Sequence, residues 1–269
     1  MRETARVRLS DWWAERHNIG VINQATGNVY GGPTGFQGDP QYRFQGLVLP
    51  VAPDSTHRVM CSTTHSTEQT LATGDSMDPK YILDVVYKAH TNVYPIKPVQ
   101  LKGMEVNGVL LLHPLQVKSM KKGFSTGQWG DIQKAAMQGG QISGNPIFTG
   151  AIGMYEGVVI HEDAMVPYGN GAGTGSDAAA VNPGRNYLTI LADGSTAAAN
   201  VARGVFLGAQ SLCMAMGRAY DNPNKFKWYE ELLDAGNQLR VTAGMIYAIQ
   251  KNRFNSLDFA TITLSSFED

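Results

Sequence analysis

Charge is what this sequence has least of. Charged residues make up 17% of its 269 positions, against roughly 25% in an average globular chain. The two signs nearly cancel, with 22 Lys+Arg against 23 Asp+Glu and a formal net charge of −1. That balance excludes a basic, nucleic-acid-seeking chain and a strongly acidic tail. Cysteine is almost absent: Cys61 and Cys213 stand alone, too few for a disulfide framework and suited to a reducing compartment. Long apolar runs are missing as well. The longest stretch of valine, isoleucine and leucine, Val109–Leu112, is far short of the roughly 20 residues a membrane helix needs. The opening residues, MRETARVRLSDWW, hold arginines but no apolar core, so no secretory signal is expected there. A near-neutral chain remains, 43% hydrophobic and long enough for one large domain or two modest ones.

Glycine is abundant, at 30 residues, about 11% where about 7% is usual. Two stretches concentrate it: Gly31-Gly32-Pro33-Thr34-Gly35 with Gly38, and Gly169-Asn170-Gly171-Ala172-Gly173-Thr174-Gly175, which runs on to Gly184. Neither has the apolar content to pack. Both are expected to be surface loops or mobile insertions.

The periodicities predict a mixture of elements. Residues 3 to 25 read as a helix with Leu9, Trp12, Trp13 and Ile19 on one side and Gly27 beyond its end. Strand-like pieces follow at Leu47–Val51 and Arg58–Ser62. Asp78-Pro79 starts a second helix, because Asp suits the N-cap and proline at the first helical position loses only an amide that would be orphaned anyway. Ile82, Val85, Val86 and Ala89 form its apolar stripe. Val109–Leu112 reads as a short buried strand, Pro114 opens a helix running to Lys121-Lys122, and Val201–Tyr220 reads as helical. The strongest strand signal comes late: Leu239, Val241, Ala243, Met245, Tyr247 and Ile249 alternate with Gln238, Arg240, Thr242, Gly244 and Gln250. This register predicts an apolar face packed on the first helix near Leu9, Trp12 and Trp13. A turn at Lys251–Ser256 leads to a last strand, Asp258–Leu264. With no regular βαβ rhythm, the class is α+β.

Several fragments resemble catalytic patterns. Gly123-Phe124-Ser125-Thr126-Gly127 fits the G-x-S-x-G elbow, which would make the chain a serine hydrolase acting through Ser125. An elbow needs a hydrophobic strand running into the serine, whereas Lys118-Ser119-Met120-Lys121-Lys122 reads as a helix end. Lysines there favour the negative pole of the dipole, and Gly123 suits the left-handed residue after it. Ser125 with Gln128 then reads as a capping box for a helix bearing Trp129, Ile132 and Ala136. The only later histidine is His161, which leaves little chain for the rest of a hydrolase sheet. Gly74-Asp75-Ser76 lacks the late D-x-x-H that such a block requires. His161-Glu162 lacks the second histidine of a zinc helix, and the histidines at 17, 57, 65, 90, 113 and 161 show no ligand spacing. Each histidine is expected at the surface or half-buried, and both cysteines in the core. The second glycine stretch has neither G-x-G-x-x-G nor a Lys-Ser/Thr pair, so it offers no phosphate cradle. No catalytic, cofactor-binding or metal residue is assigned.

Three segments carry a resemblance: ARVRLSDWWAERHNIGVINQATG (5–27), VLLLHPLQVKSMKKGFSTGQWGDIQKAA (109–136) and NPIFTGAIGMYEGVVIHEDAMVP (145–167), extended by LGAQSLCMAMG (207–217) and IYAIQKNRFNSLDFA (246–260). In that order they resemble the major capsid proteins of tailed double-stranded DNA bacteriophages, in the branch named after the podovirus N-four. The resemblance implies an HK97-type fold, with a peripheral domain built on a long spine helix, an inserted axial domain, and closing strands returning to the periphery. Residues 1–29 would hold the spine helix, 30–218 the axial domain, and 219–269 the closing strands. The implied function is structural, not enzymatic: self-assembly into pentamers and hexamers of an icosahedral shell enclosing the genome. Portal, scaffold and decoration proteins are the other implied partners, and neither a cofactor nor a membrane is. The implied place is the virion, after assembly in the host cytoplasm. Such proteins carry an N-terminal arm and an extended loop before the spine helix, and this sequence starts almost at the helix. That role is expected to be filled by chain missing from this sequence or by another chain.

Overall fold

The computed structural model describes residues 2–28, 50–101, 104–123, 151–170, 188, 199–217 and 226–268. Its helices are α1 (Arg2–Thr26), α2 (Lys80–Thr91) and α3 (Pro114–Gly123). The strands of the first half are β1 (Arg58–Met60), β2 (Val99–Leu101), β3 (Met104–Val106), β4 (Gly108–Leu112), β5 (Ala151–Tyr155), β6 (Val158–Glu162) and β7 (Tyr168–Asn170). Those of the second half are β8 (Ala199–Leu207), β9 (Leu212–Met216), β10 (Phe226–Leu233), β11 (Gln238–Met245), β12 (Tyr247–Lys251), β13 (Arg253–Phe254), β14 (Leu257–Asp258) and β15 (Thr261–Phe267).

One mixed sheet organises the chain, in the order β1-β15-β8-β4-β6-β5, with β7 beside β8. The β1–β15 and β4–β6 pairs are parallel and the rest antiparallel. Parallel neighbours need a crossover between them, and α3 lies in the stretch that links β4 to β6. The turn from β5 to β6 is Glu156-Gly157, both at positive φ, the geometry a two-residue hairpin demands.

Both faces of the sheet are covered. Leu110, Leu112, Phe206, Ile262 and Leu264 point to the α2–α3 side and meet Ile82, Val85, Val117 and Met120, all buried. Leu111, one step along β4, packs on the other face against Ile19 and Ile22 of α1 and Met165. Two-sided burial explains why β4 reads as an unbroken apolar run. The α2 stripe packs as expected, with Ile82, Val85 and Ala89 buried and Val86 partly so. The Asp78 carboxylate accepts the Lys80 amide at 3.2 Å, serving the cap that the sequence predicts. Helix α1 ends where Gly27 takes φ +62°, and a Cβ there would sit 2.4 Å from the Val51 carbonyl oxygen. Glycine is therefore required twice over, by conformation and by space.

Some expectations are corrected. Val201–Tyr220 is not helical where described: it forms β8 and β9, joined by a turn in which Gln210 has φ +63°. Helix formers such as Ala, Leu and Met override nothing once Gly204 must let β8 approach Leu112, 2.8 Å from a would-be Cβ. Gly123 is the last residue of α3 and does not adopt positive φ. Pro50 and Val51 lie outside any strand. Gly169 and Asn170 belong to β7 rather than to a loop. The long alternating strand is two strands with different partners, β11 on β10 and β12 on β9. Its parity holds nonetheless: Leu239, Val241, Ala243 and Ile249 are half-buried or buried, while Gln238, Arg240, Thr242 and Gln250 are exposed. Gly31–Gly38, Leu47–Leu49, Ser125 with its proposed helix, and Gly171–Gly184 lie outside the described residues.

Candidate functional site

The polar residues with the most elaborate surroundings hold the sheet together from both sides. On the α1 face, Arg203 of β8 donates from Nε to Glu68 Oε1 at 2.7 Å and from Nη2 to Oε2 at 2.5 Å, and both side chains are buried. The Ser265 hydroxyl donates to the same carboxylate. Arg203 Nη1 also reaches the carbonyls of Thr26 and Gly27 at 3.5 and 3.4 Å. Those carbonyls lie at the end of α1, where the helix leaves acceptors unpaired and its dipole is negative. A guanidinium fork satisfies both demands at once.

On the α3 face, Gln116 Nε2 donates to Ser266 Oγ at 2.8 Å, and that hydroxyl donates to Glu268 Oε1 at 2.8 Å. Glu268 also accepts from the Met77 amide at 3.0 Å and from the Ser119 hydroxyl. Burial raises the Glu268 carboxyl above its ordinary value despite these donors. Gln116 Oε1 accepts the His113 amide at 3.1 Å, and His113 Nδ1 accepts the Leu115 amide at 3.3 Å. This is a capping box with histidine in the serine position. The ring stacks on Tyr168, centroids 5.2 Å apart and planes 12° off parallel. Burial pushes His113 down to about 4, so the ring is neutral at pH 7.

A third assembly ties the closing strands to the sheet. Asp54 accepts the amides of Thr56 and His57 at 2.8 and 3.1 Å and that of Asp258 at 2.6 Å. Burial alone would raise its carboxyl, but the Asp258 amide and the Thr56 and His57 side chains hold it well below the usual range. Asp258 in turn pairs with Lys251 Nζ at 2.7 Å and Arg253 Nε at 3.1 Å.

The residues weighed for chemistry are placed as follows. His57 and His113 are fully buried, a correction to the expectation of surface or half-buried rings; the His113 ring nitrogen accepts a backbone amide at the start of α3, and the His57 ring lies against the Asp54 carboxylate and the Thr56 hydroxyl. Cys61 is buried as expected, while Cys213 is exposed on β9. Ser62, His65 and Asp75 meet, a grouping that the sequence reading did not single out. His65 Nδ1 lies 2.6 Å from Asp75 Oδ2 and 3.4 Å from Ser62 Oγ. A catalytic relay needs the acid and the serine on different ring nitrogens. Here both face Nδ1, and Ser62 Oγ accepts the amides of Thr64 and His65. The set is a turn. Among the described residues no group of three His, Cys, Asp or Glu side chains could hold a metal ion. No described helix is long and apolar enough to cross a membrane.

Several large apolar side chains face outward. Leu83, Tyr87 and Val93 stand exposed on and after α2, Met214 and Met216 on β9, and Trp228, Tyr229 and Leu232 on β10. Exposed apolar patches of this kind mark interaction surfaces. The family described as "Phage capsid protein" matches over residues 1–267. The chain belongs to it. It is a major capsid protein, a structural component of the phage virion. Solved structures agree on the fold. The capsid protein of Ralstonia phage GP4 is 22% identical, with a TM-score of 0.74, over 100% of this chain and 67% of that one. The capsid of cyanophage Pam1 is 16% identical, with a TM-score of 0.62, over 100% and 69%. The acid-stable capsid of Helicobacter pylori bacteriophage KHP30 is 15% identical, with a TM-score of 0.53, over 97% and 67%. The capsid protein thus has the HK97-like fold that the resemblance implied. No curated protein matches the chain. Nothing in these likenesses supports a hydrolase at Ser125.

Proposed function

We propose that many copies of this chain assemble, through pentamers and hexamers, into an icosahedral shell that encloses the double-stranded DNA of a tailed phage. The family match over residues 1–267 carries the reading. Outward apolar side chains and a net charge of −1 support it, because like-charged subunits packed edge to edge repel. The contacts are heterologous and close into rings. DNA is enclosed without sequence-specific binding, assembly takes place in the host cytoplasm, and portal, scaffold and decoration proteins complete the head. Residues 1–29 and 219–269 form the peripheral part and 30–218 the axial part. Because β15 pairs with β1 and β8, the two parts share one sheet. Sedimentation and electron microscopy of the protein expressed with its phage's head proteins test this. Regular closed particles containing the chain are expected; a chain absent from the particles overturns the reading.

A further inference from the structure

His113 caps α3 in a way that suits one protonation state alone. The Leu115 amide, 3.3 Å from Nδ1, can only donate, so Nδ1 must keep its lone pair and the ring proton sits on Nε2. Nε2 is buried and meets no hydrogen-bond partner among the described residues. The ring is 2% exposed and stacked on Tyr168. A further proton has one place to go, Nδ1, where it turns a donor toward a donor. The resulting cation also faces the positive end of the α3 dipole. The charged and titratable groups around it are engaged elsewhere. Tyr168 of β7 donates to the Glu268 carbonyl at 3.0 Å, and the Glu268 carboxylate accepts from Met77 and Ser119. Asp163, after β6, accepts from Asn18 and the Met165 amide. Arg203 of β8 pairs with Glu68, and Lys118 of α3 is exposed.

Further along, α3 is held by bonds that acid leaves in place. Gln116 Nε2 donates to Ser266 Oγ at 2.8 Å, and the Ser119 hydroxyl donates to Glu268. Neither needs an ionised partner, because a hydroxyl accepts at any pH and a protonated carboxyl keeps an acceptor oxygen. The weak point is the first turn. Pro114 has no amide to contribute, and the Val117 amide donates to the His113 carbonyl at 3.1 Å. We propose that His113 is an acid-sensitive latch: a proton on Nδ1 expels the ring from its stack on Tyr168 and opens the turn Pro114–Val117, while the rest of α3 and the sheet stay folded. This is a property of the single subunit and does not depend on the shell reading.

Hydrogen exchange read amide by amide on the full-length, unassembled chain tests it. His113→Asn, which keeps a capping acceptor but does not titrate, is compared at each pH so that the intrinsic acid dependence of exchange cancels. At pH 7 the two proteins should protect the Leu115 and Val117 amides alike. Near pH 4, wild type should lose about tenfold of that protection relative to the variant, with the amides of β8 and β15 equal in both. Equal protection of Leu115 and Val117 in both proteins near pH 4 overturns the latch. A loss that spreads equally through β8 and β15 does so too, since the opening is then global. If the variant does not fold, nitrogen NMR follows the ring in wild type. Nδ1 should be unprotonated at pH 7 and titrate at about 4, in step with the loss at Leu115. A ring that titrates near its ordinary 6.5, or that takes the proton while Leu115 stays protected, overturns the proposal.

Discussion

Strands β8 and β10 follow each other closely in the chain and live in opposite surroundings. From Val201 to Phe206 every residue of β8 is buried, the charged Arg203 included. From Lys227 to Glu230 every residue of β10 is exposed, Trp228 and Tyr229 included. The first strand satisfies its polar groups within the subunit and has no capacity left for a neighbour. The second holds apolar side chains in water, which a lone subunit gains nothing by keeping. A shell protein needs both: a core stable before assembly, and surfaces whose burial is deferred until copies meet.

The largest effect expected falls on the first region. Arg203→Met leaves the Glu68 carboxylate buried without its counter-ion and should lower subunit stability by about 4 kcal/mol. Arg203→Met with Glu68→Leu should recover most of that, because replacing both partners removes the desolvated charge. Urea titration of the unassembled subunit reads both. An equal loss in the single and double variants would mean that the pair sets geometry rather than balancing charge.

Next comes acid. Below its ordinary value of 6.5, His113 takes a proton in the unfolded chain but not in the folded one until about pH 4. Its stabilisation is therefore complete above pH 6.5 and is lost as pH falls through that window, up to about 3 kcal/mol. Glu268, raised by burial, acts with the opposite sign: its contribution is present at low pH and lost as pH rises through its folded value. His113→Asn keeps an acceptor at the cap and should flatten the window, so the difference between wild type and variant isolates the ring. Identical stability profiles from pH 4 to 7 would remove His113 from the account.

The same substitutions should be mild on the hairpin. Val241 stands across from Glu230 on the half-buried face, so Val241→Asp sets like charges opposite each other and should cost about 1 kcal/mol. Thr242→Asp on the exposed face and Leu232→Ala should each stay within about 0.5 kcal/mol. Leu232→Ala should nevertheless reduce particle yield. If it lowers the urea midpoint as much as a core truncation would, the hairpin is part of the subunit's own core and the comparison collapses. The smallest effect is chemical: a thiol reagent should modify Cys213 in the native subunit at once and Cys61 only in denaturant. Burial raises the Cys61 thiol well above its usual range.

How far the fold could be read from the residues follows the same divide. Helix α1, the Asp78 start of α2 and the opening of α3 at Pro114 were legible because caps and apolar periodicity are local signals. The parity of 238–250 was legible too. Its break into β11 and β12 was not, since Ile246 is an exposed apolar residue inside an otherwise regular pattern. Strand β8 was misread as helix because being buried on both faces erases alternation, leaving only composition. The polar assemblies were invisible for a related reason. Thr263 and Ser265 look like part of a solvated face, yet they are buried against partners as far off in sequence as His57 and Glu68. No local pattern announces a partner almost 200 residues away. The family resemblance succeeded where periodicity failed because it draws on the order of whole segments rather than on the environment of each.

The position of β15 sets a timetable. It is inserted between β1 and β8, so β1 waits for residues 261–267 before it pairs with a strand, and β8, already beside β4 and β7, waits for its partner on the other edge. Ribosomes deliver roughly 5–20 residues per second, and pairings this distant in sequence are slow to close once delivered. Over that interval Arg203 and Glu68 lack the Ser265 hydroxyl, and the Met77 amide lacks the Glu268 carboxylate. A nascent subunit is thus held short of its finished sheet until residues 261–267 have been made.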